Sequence, residues 1–436
     1  MELIKFIEER VRGLDLDRLD HSHPLGHEID EFAEKNPEGL KGFVESLGAW
    51  AKAHPGRILA VLHAVRPVLS IKSVTVITSF EGVKQILGND SDFAVVYGPK
   101  MSLITEGAGF FLGFDDAESK GFTNRTNMQM LFRRDDTQTL IRPIIESLAQ
   151  SKLSKLKPGF DLVADYLKLL PAEFAIRYFG FQQIDAQWLY RVTAGLFEYL
   201  FIDVTNNPVI AKNAESLAAE FRAKLDAEIA LAAAPATSVL ARGLALQRAG
   251  IEGFDAINLR NNLLGLLIGL VPTTAKAAAM AYDYGCQTRT SAETFFDFFR
   301  NNDFARFQAY VRELTRLNPI NPGLFRKCNS TVSISSGGRS YTIPAGNTVF
   351  VGTCTAMRDK LSLAAPSEII PGRSDSAYLT YGYGLHACFG RYINDLHVAA
   401  LLHNCFKSGH MVRADGADGD LHFDGAFPSS LKLKSA

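Results

Sequence analysis

Apolar residues recur three and four positions apart along most of this chain, which is the spacing of the buried face of a helix. The segment from Arg391 to about Phe406 has this spacing at Ile393, Leu396 and Leu401. The other clear helical segments are 136–153, 160–179, 187–202, 214–232, 256–284 and 304–317. The pattern therefore predicts a largely helical protein.

Strand signals are fewer than helix signals, and they consist of short alternating or β-branched runs. These runs lie at 74–78, 332–334, 341–343 and 348–351, and in the tail near 410–412, 421–423 and 431–433. Dominant helices with small sheets at both ends predict an α+β fold that is mostly α. Because no repeat and no linker rich in Pro, Gly or Ser divides the sequence, we expect one domain over residues 1–436.

The composition indicates a globular protein whose ligand is small or apolar. Hydrophobic residues make up 47% of the 436 residues and charged residues 21%, which is enough apolar material for a sizeable core. The formal net charge is −1, so electrostatics gives no reason to expect nucleic acid or anionic lipid as a partner.

The chain has no segment that we expect to span a membrane or to direct secretion. The longest apolar run is Leu263–Val271, about half of the roughly 20 residues that a bilayer requires. The first 20 residues mix charged and apolar positions and lack the apolar core of a signal peptide. Five cysteines form no C-x-x-C pair and leave an odd count, which is typical of a reduced, cytoplasmic setting.

The candidate chemistry centres on the ten residues Tyr381-Gly-Tyr-Gly-Leu-His-Ala-Cys-Phe-Gly390. Cys388 lies on a glycine-rich loop just before a predicted helix, where the helix dipole favours a thiolate. Gly382, Gly384 and Gly390 allow a backbone to pass close to a flat, bulky partner. For Cys388 taken alone, the alternative interpretation is a buried, inert thiol in a glycine-rich turn.

This decapeptide resembles the haem-binding loop of the cytochrome P450 family, with Tyr381 in place of the usual Phe. The resemblance runs from about Ser70 to the C-terminus, which leaves residues 1–69 outside it. It implies a cytochrome P450-like fold, with a long central helix over haem b (iron protoporphyrin IX). It also implies that Cys388 is the iron ligand and that His386 pairs with a haem propionate.

Further arginines and a glutamate match other positions of the family. Arg125 matches the propionate-binding arginine of an early helix and Arg326 a second one, although Gly121 stands where relatives carry a further propionate ligand. Glu313 and Arg316 match the E-x-x-R motif, and Arg373 is the arginine that joins it to support the cysteine loop. The resemblance implies a structural role for these three. The alternative to propionate binding, for both Arg125 and Arg326, is an ordinary arginine on the protein surface.

The predicted helix at 256–284 is too apolar for a surface, so it is expected to cross the interior as the distal wall. Family members carry a small residue, Gly, any residue, an acid and Thr here, and the acid and Thr handle protons during oxygen cleavage. Gly269 and Thr273 match, but Leu270 replaces the glycine and Pro272 the acid. Pro272 frees the carbonyl of residue 268 at a cost of about 3 kcal/mol, which indicates either a structural kink or an altered oxygen or peroxide pocket.

Three functions stay open on this sequence. The first is a monooxygenase, an iron-containing oxidoreductase that hydroxylates an apolar small molecule or lipid with dioxygen and electrons from a ferredoxin-type partner. The second is a peroxide-dependent peroxygenase or hydroperoxide isomerase on the same fold, which the missing acid at Pro272 favours. The third is a haem-binding sensor without turnover, but no output module is visible in the sequence.

Overall fold

Helices make up most of the protein. The computed structural model describes residues 6–7, 9–10, 23–35, 61–71, 73–107, 110–113, 120–203 and 206–436. The helices are α1 Leu25–Lys35, α2 Phe80–Leu87, α3 Gly98–Ile104, α4 Lys120–Met128, α5 Arg142–Leu153, α6 Leu170–Phe179, α7 Ala186–Phe197, α8 Pro208–Leu231, α9 Val239–Arg248, α10 Ala256–Gly285, α11 Arg289–Asn301, α12 Phe304–Leu317, α13 Thr353–Ala356 and α14 Arg391–Lys407. Three π-helical segments, Thr137–Ile141, Leu162–Leu167 and Glu198–Ile202, adjoin or lie close to helices.

The strands form one mixed sheet and three antiparallel pairs. Their bounds are β1 Val68–Ile71, β2 Val74–Ile77, β3 Phe93–Val95, β4 Leu324–Cys328, β5 Val332–Ser336, β6 Arg339–Ile343, β7 Thr348–Val351, β8 Met411–Arg413, β9 His422–Asp424, β10 Phe427–Ser430 and β11 Leu433–Ser435. The five-stranded sheet has the order β1-β2-β7-β4-β3, with β2 and β7 parallel and the other neighbours antiparallel. The two-stranded sheets are β5-β6, β8-β11 and β9-β10. The predicted α+β fold, mostly α, is confirmed.

Helix α10 crosses the interior. Its 30 residues include Pro272 without a break in the helix, and most of them are buried. Helix α10 is long and apolar enough to cross a membrane, but 78% of its most apolar 18-residue stretch is buried inside the protein. Burial by the surrounding helices therefore accounts for its apolar character.

Several predicted helices have the expected bounds, and others are interrupted. The prediction for 304–317 coincides with α12, whereas the predicted helix 160–179 is divided between a π-helical segment and α6. Pro171 is among the first residues of α6, where its missing N–H costs little, so the helix restarts there. Helices α1, α2, α3, α9, α11 and α13 were not predicted.

Helix α14 contains a fully buried histidine. His397 is fully buried, neither ring nitrogen has a hydrogen-bond partner among the described residues, and the ring lies edge-on to Phe174 at 4.5 Å between centroids. Burial lowers the pKa of His397 to about 3. The imidazole is therefore neutral in the folded protein at any ordinary pH.

We expect acid to destabilise the fold through His397. Below its ordinary pKa of about 6.5 the unfolded chain takes up a proton that the folded chain excludes, so stability is lost as pH falls, by up to about 1.4 kcal/mol per pH unit. Urea unfolding of His397→Phe between about pH 4.5 and 7.5 should show a correspondingly shallower slope. The exposed His422 provides the control, because His422→Gln should keep the original slope. Equal slopes in all three proteins would contradict this assignment.

Candidate haem-thiolate site

The cysteine loop is closed by its own backbone hydrogen bonds. The Cys388 amide donates to the Tyr381 carbonyl at 2.8 Å, and the Ala387 amide donates to Gly384 at 3.2 Å. Gly384 has φ of +74°, and a Cβ there would lie 2.2 Å from the Leu87 carbonyl oxygen, so glycine is required on both counts. Gly382 also has a positive φ, of +73°. The loop therefore holds Cys388 at a fixed position before α14.

Gly390 has a different role from the other two loop glycines. A Cβ built there meets no described atom within 4 Å, and its φ is −83°. Its amide donates to the Cys388 sulfur, which favours the thiolate. Steric need within the described chain thus accounts for glycine at 384, whereas the described residues impose no such need at 390.

Cys388 is the exposed cysteine of the chain, and the other four are buried. Its side chain lies deep in the protein but faces a cavity of about 1690 Å³. Burial raises the pKa of the Cys388 thiol, while the Gly390 amide and the charge of Arg125 act to lower it. A thiol that opens onto a cavity is accessible to a ligand bound there.

Apolar and aromatic side chains form most of the cavity wall. Helix α10 contributes a long stretch of this wall, including Thr273, and a Cβ added to Gly269 would meet no described atom within 4 Å. Other apolar residues of the wall are Phe110, Leu112, Phe197, Leu200, Leu266 and Leu270. The cavity therefore suits an apolar ligand between Cys388 and α10.

Arg125, on α4, lies near the cysteine loop. Its guanidinium carbon is 5.6 Å from the centroid of the Phe389 ring, and burial lowers the pKa of Arg125 while the charge of Cys388 raises it. Within the described part of the chain, its buried Nη1 has no hydrogen-bond partner. A buried guanidinium donor normally meets an acceptor, so this atom fits an anionic group of a bound ligand.

Arg326 and His386 line the same cavity, and both have contacts with the protein. Arg326 is 4% exposed and donates from Nη1 to the Phe325 carbonyl at 2.9 Å. The Nδ1 atom of His386 lies 2.9 Å from the Leu112 carbonyl oxygen, and its Nε2 lies 3.9 Å from an Asp90 carboxylate oxygen.

These residues fit a haem. Cys388 supplies a sulfur donor that opens onto the cavity, and Arg125, Arg326 and His386 supply cationic or hydrogen-bonding groups for two carboxylates. Gly382 and Gly384 give the loop its backbone conformation, and the apolar wall matches the rest of a porphyrin.

Glu313, Arg316 and Arg373 come together in a buried charge network. Arg316 contacts the Glu313 carboxylate twice, at 2.8 and 2.9 Å, and Arg373 Nε donates to Glu313 Oε2 at 2.9 Å. The side chains of Glu313 and Arg316 are fully buried and that of Arg373 is 9% exposed. Burial acts to raise the pKa of Glu313, but hydrogen bonds from Arg316, Ile370 and Arg373 bring it below its usual value.

The network ties α12 to the segment that leads to the cysteine loop. Arg316 also donates to the carbonyls of Met357 and Pro366, at 2.8 and 2.7 Å. Arg373 donates to the carbonyls of Ala364 and Ala365, at 2.7 and 2.6 Å. One carboxylate thus organises two arginines, one of which is 60 residues away in the sequence, and these hold backbone carbonyls between residues 357 and 368.

A second polar network behind the loop was not predicted from the sequence. The Tyr381 hydroxyl donates to Asp395 at 2.8 Å and accepts from the Asn394 amide at 3.1 Å. Asn394 Oδ1 lies 2.7 Å from the Thr274 hydroxyl on α10, and Asp395 lies 3.6 Å from Arg312 Nε. The sequence signal for this network was Tyr381, which stands where the family usually has Phe. A buried phenol requires a polar partner.

Pro272 and Thr273 lie on α10 at the cavity. The Thr273 hydroxyl donates to the Gly269 carbonyl, and the neighbouring Thr274 hydroxyl lies 2.7 Å from the Leu270 carbonyl oxygen. Both threonines therefore bond to backbone in the turn that contains the proline. The helix continues through residue 272, and the side chain there has no ionisable group.

Solved structures with the same fold support this architecture. The structure titled P450BioI in complex with hexadec-9Z-enoic acid ligated acyl carrier protein aligns with a TM-score of 0.74 and 17% identity, over 89% of this chain and 98% of that one. The haem domain of Acinetobacter radioresistens CYP116B5 aligns with a TM-score of 0.70 and 17% identity, over 88% and 95% of the two chains. At these identities the likeness shows the fold.

Sequence relatives agree with the fold. Cytochrome P450 105A3 of Streptomyces carbophilus is 24% identical over 368 residues, which cover 78% of this chain and 81% of that protein. A bifunctional dioxygenase–epoxy alcohol synthase of Fusarium oxysporum is 23% identical over 388 residues, or 79% of this chain. The match spans only 30% of the Fusarium protein and 7% of a Pyricularia oryzae protein of the same description.

The fold is the one seen in solved cytochrome P450 structures. The cytochrome P450 family model matches residues 304–408, the range that contains the E-x-x-R helix, Arg373 and the complete loop. Over this range the chain is similar to the cytochrome P450 family, and its fold is that of solved cytochrome P450 structures.

Proposed function

We propose that this protein binds haem b through Cys388 and oxidises an apolar small molecule or lipid as a monooxygenase. The observation that carries the proposal is the exposed thiol of Cys388 in a cavity of about 1690 Å³ with a largely apolar wall. Haem bound through a thiolate supplies oxygen activation, because the thiolate donates electron density to the iron and favours O–O cleavage. A cytoplasmic location and a ferredoxin-type electron donor belong to the same proposal.

The chain's own residues would bind the haem and orient the substrate. Arg125, Arg326 and His386 would hold the two propionates, and the apolar wall of α10 would place the substrate and exclude water. The Thr273 hydroxyl, oriented by the Gly269 carbonyl, is the polar group of α10 best placed to hold a proton or a water at the reaction centre. The network of Glu313, Arg316 and Arg373 would support the loop.

A lipid substrate is the favoured class within this proposal. The solved P450BioI structure contains an acyl carrier protein ligated to hexadec-9Z-enoic acid. A linoleate 10R-lipoxygenase of Aspergillus fumigatus is 27% identical over 112 residues, and the Fusarium relative is named as an epoxy alcohol synthase. These names concern the relatives, and they agree with the largely apolar wall of the cavity in this chain.

The second candidate is a peroxide-dependent peroxygenase or hydroperoxide isomerase, which Pro272 favours. Family proton delivery uses an acid beside the threonine, and the side chain at 272 cannot carry a proton. The oxygen of a peroxide is already two electrons more reduced than that of dioxygen. A peroxide-dependent reaction therefore has less need of an acid beside the threonine. The same residues would bind haem and substrate in either case.

We expect turnover with dioxygen to be poorly coupled, and peroxide or a lipid hydroperoxide to form product at least as well. The measurement is product per electron or per peroxide consumed, with one substrate and both oxidants. Pro272→Asp should raise coupling with dioxygen, because it restores an acid beside Thr273. Pro272→Ala, which removes the proline without adding an acid, is the matched control and should not.

Tight coupling with dioxygen and no peroxide-driven product would rule out the peroxide-dependent candidate and leave Pro272 as a feature of helix structure alone. Binding of apolar ligands without product from either oxidant would favour a haem-binding sensor over both enzymes.

A further inference from the structure

A carboxylate lies behind the cysteine loop, on the second turn of α14. Asp395 follows the helix start at Arg391 by four residues, which corresponds to about 6 Å along the helix axis. Its side chain is 16% exposed, in contrast to that of Asp375, which is 72% exposed. Asp395 is therefore an acidic group held largely out of water just behind the loop.

Two side chains from other elements face this carboxylate. The Tyr381 hydroxyl donates to Asp395 Oδ1 at 2.8 Å, and Arg312 Nε on α12 lies 3.6 Å from Oδ2. Burial raises the pKa of Asp395, while the charge of Arg312 and the hydrogen bond from Tyr381 act to lower it. At 3.6 Å the arginine is beyond hydrogen-bond distance, so the direct hydrogen bond to this carboxylate comes from the phenol.

The phenol is oriented by a neighbour on α14. Asn394 Nδ2 donates to the Tyr381 hydroxyl at 3.1 Å, and Asn394 Oδ1 lies 2.7 Å from the Thr274 hydroxyl on α10. A phenol has one hydrogen to donate, and the hydrogen bond that it accepts from Asn394 leaves this hydrogen for Asp395. The polar network thus directs the hydroxyl dipole at the carboxylate.

Tyr381 also connects the carboxylate to the cysteine. Its backbone carbonyl accepts the Cys388 amide at 2.8 Å, while its hydroxyl contacts Asp395. Burial is the main cause that raises the pKa of the Cys388 thiol, and the charge of Asp395 acts in the same direction. The carboxylate therefore acts electrostatically on the sulfur.

We propose that Asp395 sets the reduction potential of haem bound through Cys388, and that the Tyr381 hydroxyl moderates its effect. This inference rests on the proposed function and adds to it two positioning residues that act through the cysteine. A nearby negative charge favours ferric over ferrous iron, because the ferric state carries one more positive charge. Asp395 would thus lower the potential, and the hydrogen bond from Tyr381 would limit the decrease. Phenylalanine, the usual residue of the family at 381, has no hydroxyl for this purpose.

The test is a redox titration of the full haem-loaded protein at about pH 8, which keeps the carboxylate ionised. Asp395→Asn keeps the size of the side chain and an oxygen that accepts from Tyr381, but it removes the charge. We expect this variant to favour reduction at least about tenfold, which is a shift of about 59 mV to more positive potential for one electron. Tyr381→Phe should shift the potential in the opposite direction, because the carboxylate keeps its charge and loses its hydrogen bond.

Asp375→Asn is the matched control. Asp375 pairs with the same arginine, Arg312, but most of its side chain is exposed, so its charge is screened by water and salt. This variant should leave the equilibrium constant of reduction within about twofold of that of the unaltered protein.

An unchanged potential in Asp395→Asn would overturn the inference, and so would an equal shift in Asp375→Asn. Shifts of Asp395→Asn and Tyr381→Phe in the same direction would also overturn it, because a general loosening of the loop moves both potentials alike.

The red-shifted Soret band of the reduced protein with carbon monoxide, recorded on the same samples, tests the proposed function separately. An unaltered protein without this band refutes the proposed function, and with it any role of Asp395 toward haem. Loss of the band in Asp395→Asn alone would show that the carboxylate supports the loop structure instead. A protein that keeps the band and has the same potential with Asp or Asn at 395 refutes the role of Asp395 alone.

Discussion

Replacing Cys388 with alanine is expected to abolish the strongly red-shifted Soret band that reduced thiolate-ligated haem shows with carbon monoxide. Cys388 is the exposed cysteine and faces the cavity, and the Gly390 amide donates to its sulfur. The variant has no other thiolate at that position, so haem should be lost or bound with a different spectrum. The measurement is the difference spectrum of the reduced protein with and without carbon monoxide, together with haem content.

Cys354 provides the matched control for this experiment. It also borders the cavity, but it is 9% exposed, and burial raises the pKa of its thiol to about 12, so it is poorly suited to ligate iron. Cys354→Ala should keep the red-shifted band. If Cys388→Ala keeps the band and Cys354→Ala loses it, the ligand has been assigned to the wrong cysteine.

Glu313→Ala is expected to cause the largest loss of stability of any substitution considered. It leaves the guanidinium of Arg316 fully buried without its counter-charge and removes the main anionic partner of Arg373. Breaking a buried ion pair at one member costs about 3–5 kcal/mol. We expect little soluble, haem-loaded protein and a markedly lower melting temperature for what remains.

The exposed pair of Arg289 and Glu293 on α11 serves as the comparison. Its side chains are 89% and 52% exposed, and the two atoms lie 3.2 Å apart. Glu293→Ala should change the free energy of unfolding by less than about 1 kcal/mol, because exposed ion pairs contribute little. Normal haem content and an unchanged melting temperature in Glu313→Ala would show that the buried network does not support the loop.

Long periodic segments were predicted well from sequence because periodicity is a local property. The predicted helix at 304–317 coincides with α12, and the predicted helix at 256–284 corresponds to α10 with a difference of one residue at its end. The cysteine loop was recognisable for the same reason, since its determinants lie within ten consecutive residues.

The sheet could not be assembled from local patterns. Strand β2 pairs in parallel with β7, so Val74 lies beside Thr348, and β3 pairs with β4. β3 is three residues long and β4 carries two charged residues, so neither shows a clear alternation. Pairing across more than 200 residues depends on the packing of the helices between the strands, which the sequence of each strand does not encode.

By itself, the sequence determined the class of fold, the position of the cysteine and the replacement of the family's acid by Pro272. Each of these depends only on residues that are close together in the sequence. The tertiary structure decided which distant side chains meet. It placed Tyr381 against Asp395 and Asn394, and it connected Asn394 to Thr274 on α10. These contacts depend on how α10 and α14 pack, and burial then gives the polar groups on them a chemical significance that their spacing in the sequence does not show.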